Sequence, residues 1–161
     1  MSTLHVILQG PVARVTLARP EVRNAFNADL IAELTAAFAQ IAAAPDVRAV
    51  VLAAEGPAFC AGADLRWMQA MAAFSWDENH ADAARLAEMF WVIDRCPVPV
   101  IARIQGDAYA GGVGLVACAD IAVSVDSASY CLSEARLGLL PGTIAPYVVR
   151  AMGERAARRY F

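Results

Sequence analysis

Histidine is nearly absent: His5 and His80 are the only two in 161 residues. That removes the material for a zinc site and leaves poor material for a Ser-His-Asp triad. The four cysteines, Cys60, Cys96, Cys118 and Cys131, never fall into C-x-x-C spacing, so neither a metal site nor a redox pair is expected. They read as buried apolar thiols in a reducing, cytoplasmic compartment. No apolar run reaches the roughly 18 residues that span a bilayer, and no membrane partner is expected. The opening MSTLHVILQGPVARV lacks the basic region and long apolar stretch of a signal peptide. A basic face is missing too. Net charge is −3 and Arg158-Arg159 is the only basic pair, which argues against a nucleic-acid partner. Chemistry is left to carboxylates, backbone amides and groups that a substrate brings.

What is present is apolar and regular. With 59% hydrophobic residues, the chain has enough to build one domain over residues 1–161, and its pattern suits a layered α/β fold. LHVILQGPVARVTLARP predicts two short strands around a Gly-Pro turn, with Val15 and Leu17 on one face. Asn27 is placed to cap a helix in which Leu30, Leu34, Phe38 and Ile41 recur at helical spacing, and Pro45 ends it. VRAVVLAAE reads as a parallel strand covered on both faces. A small-residue loop, a longer helix, the strand VPVIARIQG and two more short strands in IAVSVDSASYCL follow. Helical pieces are expected around Glu134 and from Ala145 onward. GERAARRYF reads as the first turns of a helix with no stop signal, so the chain is expected to be C-terminally incomplete.

Several side chains have plain structural readings. Asp120 suits a turn or cap at a helix-to-strand junction, and Glu78, Asp82 and Glu88 suit a solvated helix face. Trp67, Met68, Met71, Phe90 and Trp91 read as core, or as the wall of a pocket. Glu134, just after Ser133, could do no more than open a helix favourably.

Two small-residue loops carry the chemical signal. Gly112 to Ala117 matches G-x-G-x-x-A after a strand and before a helix, the pattern of a dinucleotide site. That helix, however, has room for only about two turns before the next strand, and Asp126 comes too soon for the ribose contact expected at about 20 residues. No Lys-Ser or Lys-Thr follows the glycines, so a P-loop does not fit. A second reading is an oxyanion hole: unpaired amides at a helix start, suited to a carbonyl oxygen that gains charge. FCAGADL offers the second donor loop through Ala61, Gly62 and Ala63. A third reading is a pair of tight turns and nothing more.

FCAGADL, AYAGGVGLVACADIAV, YCLSEARLGLLPG and the early ARPEVRNAF occur in that order, and together they resemble the crotonase family of enoyl-CoA hydratases and isomerases. The resemblance implies a spiral of strand-strand-helix units whose final helices, absent here, build a trimer or a hexamer. It implies an acyl-CoA substrate that carries its own coenzyme A, with no further cofactor. The oxyanion donors would be the N–H groups of Ala63 and Gly111, and Glu134 would work on the acyl chain. Arg23 and Ala25 would lie near the CoA phosphates, the loop from Ala61 to Asp64, including Gly62, along the adenine, and Leu65 would be a further substrate contact. Tyr109, Gly112 and Gly114 would complete the substrate contacts.

One departure bears on the reaction. Typical hydratases of the family carry a second glutamate where this chain has Gly114. A single carboxylate suits an isomerase, which moves a proton from C2 to C4. Yet CLSEARLGLLPGTIAPYVVRAMGERAARRY resembles hydratases of methylglutaconyl-CoA and related branched glutaconyl-CoA substrates. The expectation is water addition to an enoyl-CoA. Isomerisation, or acyl-CoA binding without catalysis, are the alternatives.

Overall fold

A computed structural model describes residues 2–161. Strand β1 (Leu4–Gln9) turns at Gly10-Pro11 into β2 (Val12–Leu17), its antiparallel partner. From there β3 (Ala49–Ala54), β4 (Val100–Ile104) and β6 (Ile121–Ser124) add in parallel, giving the sheet order β1-β2-β3-β4-β6. Val15 and Leu17 point into the core, as their alternation requires.

A second ladder lies beyond the carboxyl ends of these strands. Phe26 bridges Ala63, Cys60 bridges Ala108, and β5 (Ala108–Tyr109) pairs with β7 (Tyr130–Cys131), all in parallel. Each of β2, β3, β4 and β6 therefore continues into a short extended segment and then into a helical element, which is the expected strand-strand-helix repeat. The first repeat ends in α1 (Ala28–Ala42), where the Asn27 side chain accepts from the Leu30 amide at 3.0 Å. Leu30, Leu34, Phe38 and Ile41 are all buried by this helix.

The second repeat carries α2 (Leu65–Met71) and α3 (Trp76–Asp94). The long helix opens with a capping box between Ser75 and Glu78. Its apolar stripe buries Met89, Phe90 and Ile93, but Trp91, expected in core or pocket, is 57% exposed because it falls on the opposite face. The third repeat carries α4 (Gly111–Cys118). The fourth enters a 3-10 turn at Glu134–Leu137, then α5 (Ala145–Met152) and α6 (Glu154–Tyr160). Asp120 fastens the junction before β6, accepting from the Val100 amide at 2.8 Å.

All four cysteines are free, but only Cys60 and Cys118 are buried; Cys96 and Cys131 are partly open. Among the described residues, no helix is long and apolar enough to cross a membrane, and no cluster of side chains could hold a metal ion.

Candidate active site

The four repeats place their short extended segments side by side, and a cavity of about 580 Å³ opens there. Each loop is fixed by backbone hydrogen bonds to its neighbour. The Phe26 amide donates to the Gly62 carbonyl at 2.7 Å, and the Asp64 amide donates back to the Phe26 carbonyl at 2.8 Å. The Tyr109 amide donates to Cys60 at 2.9 Å, and the Ala110 amide to Cys131 at 2.8 Å. Between the Gly62 and Asp64 pairings stands Ala63, whose amide takes no acceptor among the described residues.

The glycine loop presents a comparable amide. Ala110 caps α4 at φ 48 and ψ −119, a backbone conformation that an L-residue adopts only under constraint. It turns the chain so that Gly111 begins the helix, where the first amides have no intrahelical acceptor. Ala63 and Gly111 both border the cavity. Their loops touch at Gly62, whose φ is +85, and a Cβ there would lie 2.9 Å from the Ala110 Cβ and 3.4 Å from the Gly111 nitrogen.

Glu134 opens the 3-10 turn on another wall of the cavity. Its Oε2 is buried and has no hydrogen-bond partner among the described residues. Burial raises its pKa above the ordinary 4.5, outweighing a hydrogen bond from its own amide. Ser133 makes no side-chain cap, so Glu134 is not half of a capping pair.

Of the remaining expected contacts, Ala25, Ala61, Asp64 and Leu65 also border the cavity. Arg23, Gly62, Tyr109, Gly112 and Gly114 do not. The Arg23 carbonyl holds the Ala61 amide at 2.9 Å while its side chain is exposed outside the cavity. The Tyr109 hydroxyl donates to Asp107 at 2.9 Å, so its polar end is committed elsewhere. Gly112 backs onto the second ladder, where a Cβ would meet the Cys60 carbonyl oxygen at 2.3 Å. Gly114 backs onto Ile144 and Phe90, where a Cβ would lie 2.4 Å from Ile144 Cγ2. Both glycines, expected among the substrate contacts, stand in close packing and are not among the residues that border the cavity. The same packing accounts for the G-x-G-x-x-A match without a dinucleotide.

Two side chains around the cavity escaped the sequence reading. Arg19 donates from Nη2 to Asp64 at 3.0 Å and from Nη1 to the Ala25 carbonyl, joining the early loop to the loop that carries Ala63. Burial pushes the Asp64 carboxyl up, but the hydrogen bonds from Arg19 and the Arg66 amide, with the Arg19 charge, bring it below 3.8. Asp82, expected on a solvated face with Glu78 and Glu88, is only 3% exposed and borders the cavity. Its signal was present: Asp82, Leu86 and Phe90 recur every fourth residue on one face of α3.

The sequence profile of the enoyl-CoA hydratase/isomerase family matches residues 8–161. The chain is 38% identical over 158 residues to an enoyl-CoA hydratase of Alternaria alternata, covering 96% of this chain and 50% of that protein. It is 38% identical over 142 residues to the mitochondrial delta(3,5)-delta(2,4)-dienoyl-CoA isomerase of Mus musculus, covering 81% of this chain and 42% of the other. Among solved structures it is similar to an enoyl-CoA hydratase from Shewanella pealeana, with a TM-score of 0.94 at 43% identity over 98% of this chain and 60% of that one. The chain thus spans about half the length of the curated relatives it matches.

Proposed function

Because this chain belongs to the enoyl-CoA hydratase/isomerase family, we propose that its cavity binds an enoyl-CoA thioester and that Glu134 is the general acid/base that adds water to it. One observation carries this reading: a buried Glu134 oxygen without a partner borders the same cavity as the Ala63 and Gly111 amides. The thioester oxygen accepts from those two N–H groups. Water adds its oxygen to C3, and the electrons of the double bond move toward the carbonyl, where the two donors hold the developing charge. Glu134 takes the proton from water and returns a proton at C2, so the carboxyl ends as it began. Coenzyme A enters as part of the substrate, and the steps use no other cofactor.

A second reading is isomerisation, in which Glu134 moves a proton from C2 to C4 through the same enolate. The packing of Ile144 and Phe90 against Gly114 favours it, since no second carboxylate stands there to hold a water. The finer substrate reading is a branched glutaconyl-CoA, whose own carboxylate would help to position water. Arg66 supports it, as an exposed cation that borders the cavity with no side-chain partner among the described residues.

A trimer or hexamer is part of the same proposal. It is supported by apolar side chains left open on both edge strands, Val6, Ile7 and Leu8 on β1 and Ile121 and Val123 on β6. The four free thiols suit a cytoplasmic setting.

The test is a panel of enoyl-CoA thioesters followed by the absorbance of the conjugated thioester, with products identified by mass. Loss of absorbance with gain of one water supports hydration. A gain of absorbance from 3-enoyl-CoA supports isomerisation. Tight binding without turnover assigns a binding protein, and no binding at all overturns the acyl-CoA reading.

A further inference from the structure

We infer that Asp82 reads the far end of the acyl chain and favours acyl groups that end in a hydrogen-bond donor such as a hydroxyl. The inference deepens the acyl-CoA reading of the cavity and rests on it.

Asp82 Oδ1 is bound by Arg85, whose own side chain is mostly in solvent. Asp82 Oδ2 is buried with no partner among the described residues, and the residue borders the cavity. A buried carboxylate oxygen that lacks a donor is costly, and on this inference the donor comes from the cavity that Asp82 borders.

Its distance from the reacting end follows from the helix. Asp82, Leu86 and Phe90 occupy successive turns of α3, and all three border the cavity. Phe90 packs edge-on to Phe26 at 6.1 Å, and the Phe26 ring lies against Gly111. Phe90 therefore marks the end near the amide donors. Eight residues at about 1.5 Å each put Asp82 about 12 Å further along α3. Asp82 therefore stands toward the other end of the cavity from the amide donors. Trp67, Met68, Met71 and Leu86 add apolar wall. An extended acyl chain long enough to cover that distance brings its terminus to Asp82. A terminal hydroxyl there gives Oδ2 its missing donor, a methyl leaves it unpaired, and a carboxylate brings like charge.

The experiment compares binding, by titration calorimetry, of three saturated medium-chain acyl-CoA esters of equal length that end in methyl, hydroxyl or carboxylate. Short butyryl-CoA, which does not reach Asp82, is the reference. The hydroxyl ester should bind about 10- to 100-fold more tightly than the methyl ester, and the carboxylate ester should bind most weakly. Asp82→Leu should level hydroxyl and methyl. Asp82→Asn, nearly the same size, should remove the penalty on the carboxylate ester, and it decides the matter if the leucine variant fails to fold. Equal binding of hydroxyl and methyl by the parent, or a hydroxyl preference that survives Asp82→Leu, overturns the inference. If butyryl-CoA binds in that case, the acyl-CoA reading stands alone. If none of the four esters binds, both fall.

Discussion

Arg19 and Asp64 clasp two loops that lie 45 residues apart, with 3.0 Å between guanidinium and carboxylate and both side chains largely out of solvent. Asp64 uses its other oxygen to cap α2, accepting from the Arg66 amide at 2.9 Å. Ala63 stands next to this clasp, so the ion pair ties down the loop that carries its amide. Arg19→Ala leaves a largely buried carboxylate without its cation. It should cost about 1.5–3 kcal/mol of stability and lower turnover as well. Arg48→Ala, at an exposed arginine, should do neither. Urea unfolding and steady-state kinetics on the two variants check this.

The clasp also sets a response to acid. The folded Asp64 carboxyl titrates below its ordinary 3.8, so the unfolded chain takes up the proton first. The stabilisation is therefore complete above the unfolded value and is lost as pH falls below 3.8 and through the folded value. Thermal melts between about pH 2 and pH 5 should show the parent losing stability with acid more steeply than Asp64→Asn. Parallel curves for the two proteins would count against the clasp.

Glu134→Gln keeps the size of the side chain and removes the exchangeable proton. Turnover should fall about 10²- to 10⁴-fold, while binding of a saturated acyl-CoA stays near that of the parent. Burial places the parent's carboxyl above 4.5, and a base must be ionised to work. The acid limb of kcat/KM should thus fall at a higher pH than an ordinary glutamate gives. Retention of most activity by the glutamine variant removes Glu134 from the reaction.

Periodicity made much of this molecule legible. The spacing of Leu30, Leu34, Phe38 and Ile41 reported one buried face of α1 correctly, because a helix repeats its faces whatever it packs against. The small residues around Ala63 and Gly111 marked two places where backbone comes close to something. What periodicity cannot report is the partner. Arg19 carries no local sign that it will meet Asp64, since the pairing exists only once the second ladder has formed. Asp82 was read by its charge and belongs to its stripe. Gly114 looked like a gap where a carboxylate was missing, and the structure fills the space beyond it with Ile144 and Phe90.

Gly62 is the hinge between the two amide loops. Its φ of +85 and the 2.9 Å approach that a Cβ would make to Ala110 leave no relaxed place for a side chain. Gly62→Ala should cost about 1–3 kcal/mol and push the Ala63 and Gly111 amides apart. A loss near that of one oxyanion donor, about 10²- to 10³-fold in kcat, is expected. Assays at a temperature where the variant is fully folded by circular dichroism separate the two effects.

Gly114 tests whether a second carboxylate is compatible with this cavity. A Cβ at that position would lie 2.4 Å from Ile144 Cγ2 and 2.9 Å from Phe90 Cε1, and both of those side chains are buried. Gly114→Ala alone should therefore destabilise by about 1–3 kcal/mol through overpacking. Gly114→Glu adds a buried charge to the same clash and should be poorly folded, so by itself it gains no second acid. Ile144→Ala removes the nearest obstacle and gives the glutamate a path toward the cavity that Ile144 borders. If one carboxylate limits water addition, the double variant Gly114→Glu, Ile144→Ala should hydrate a simple enoyl-CoA faster than Ile144→Ala alone. If the chemistry is a one-carboxylate proton shuttle, the added group should slow the conversion of 3-enoyl-CoA instead. Melting temperatures come first: a Gly114→Glu protein as stable as the parent would show that the wall behind the glycine yields, and that the packing drawn from it does not restrict the site.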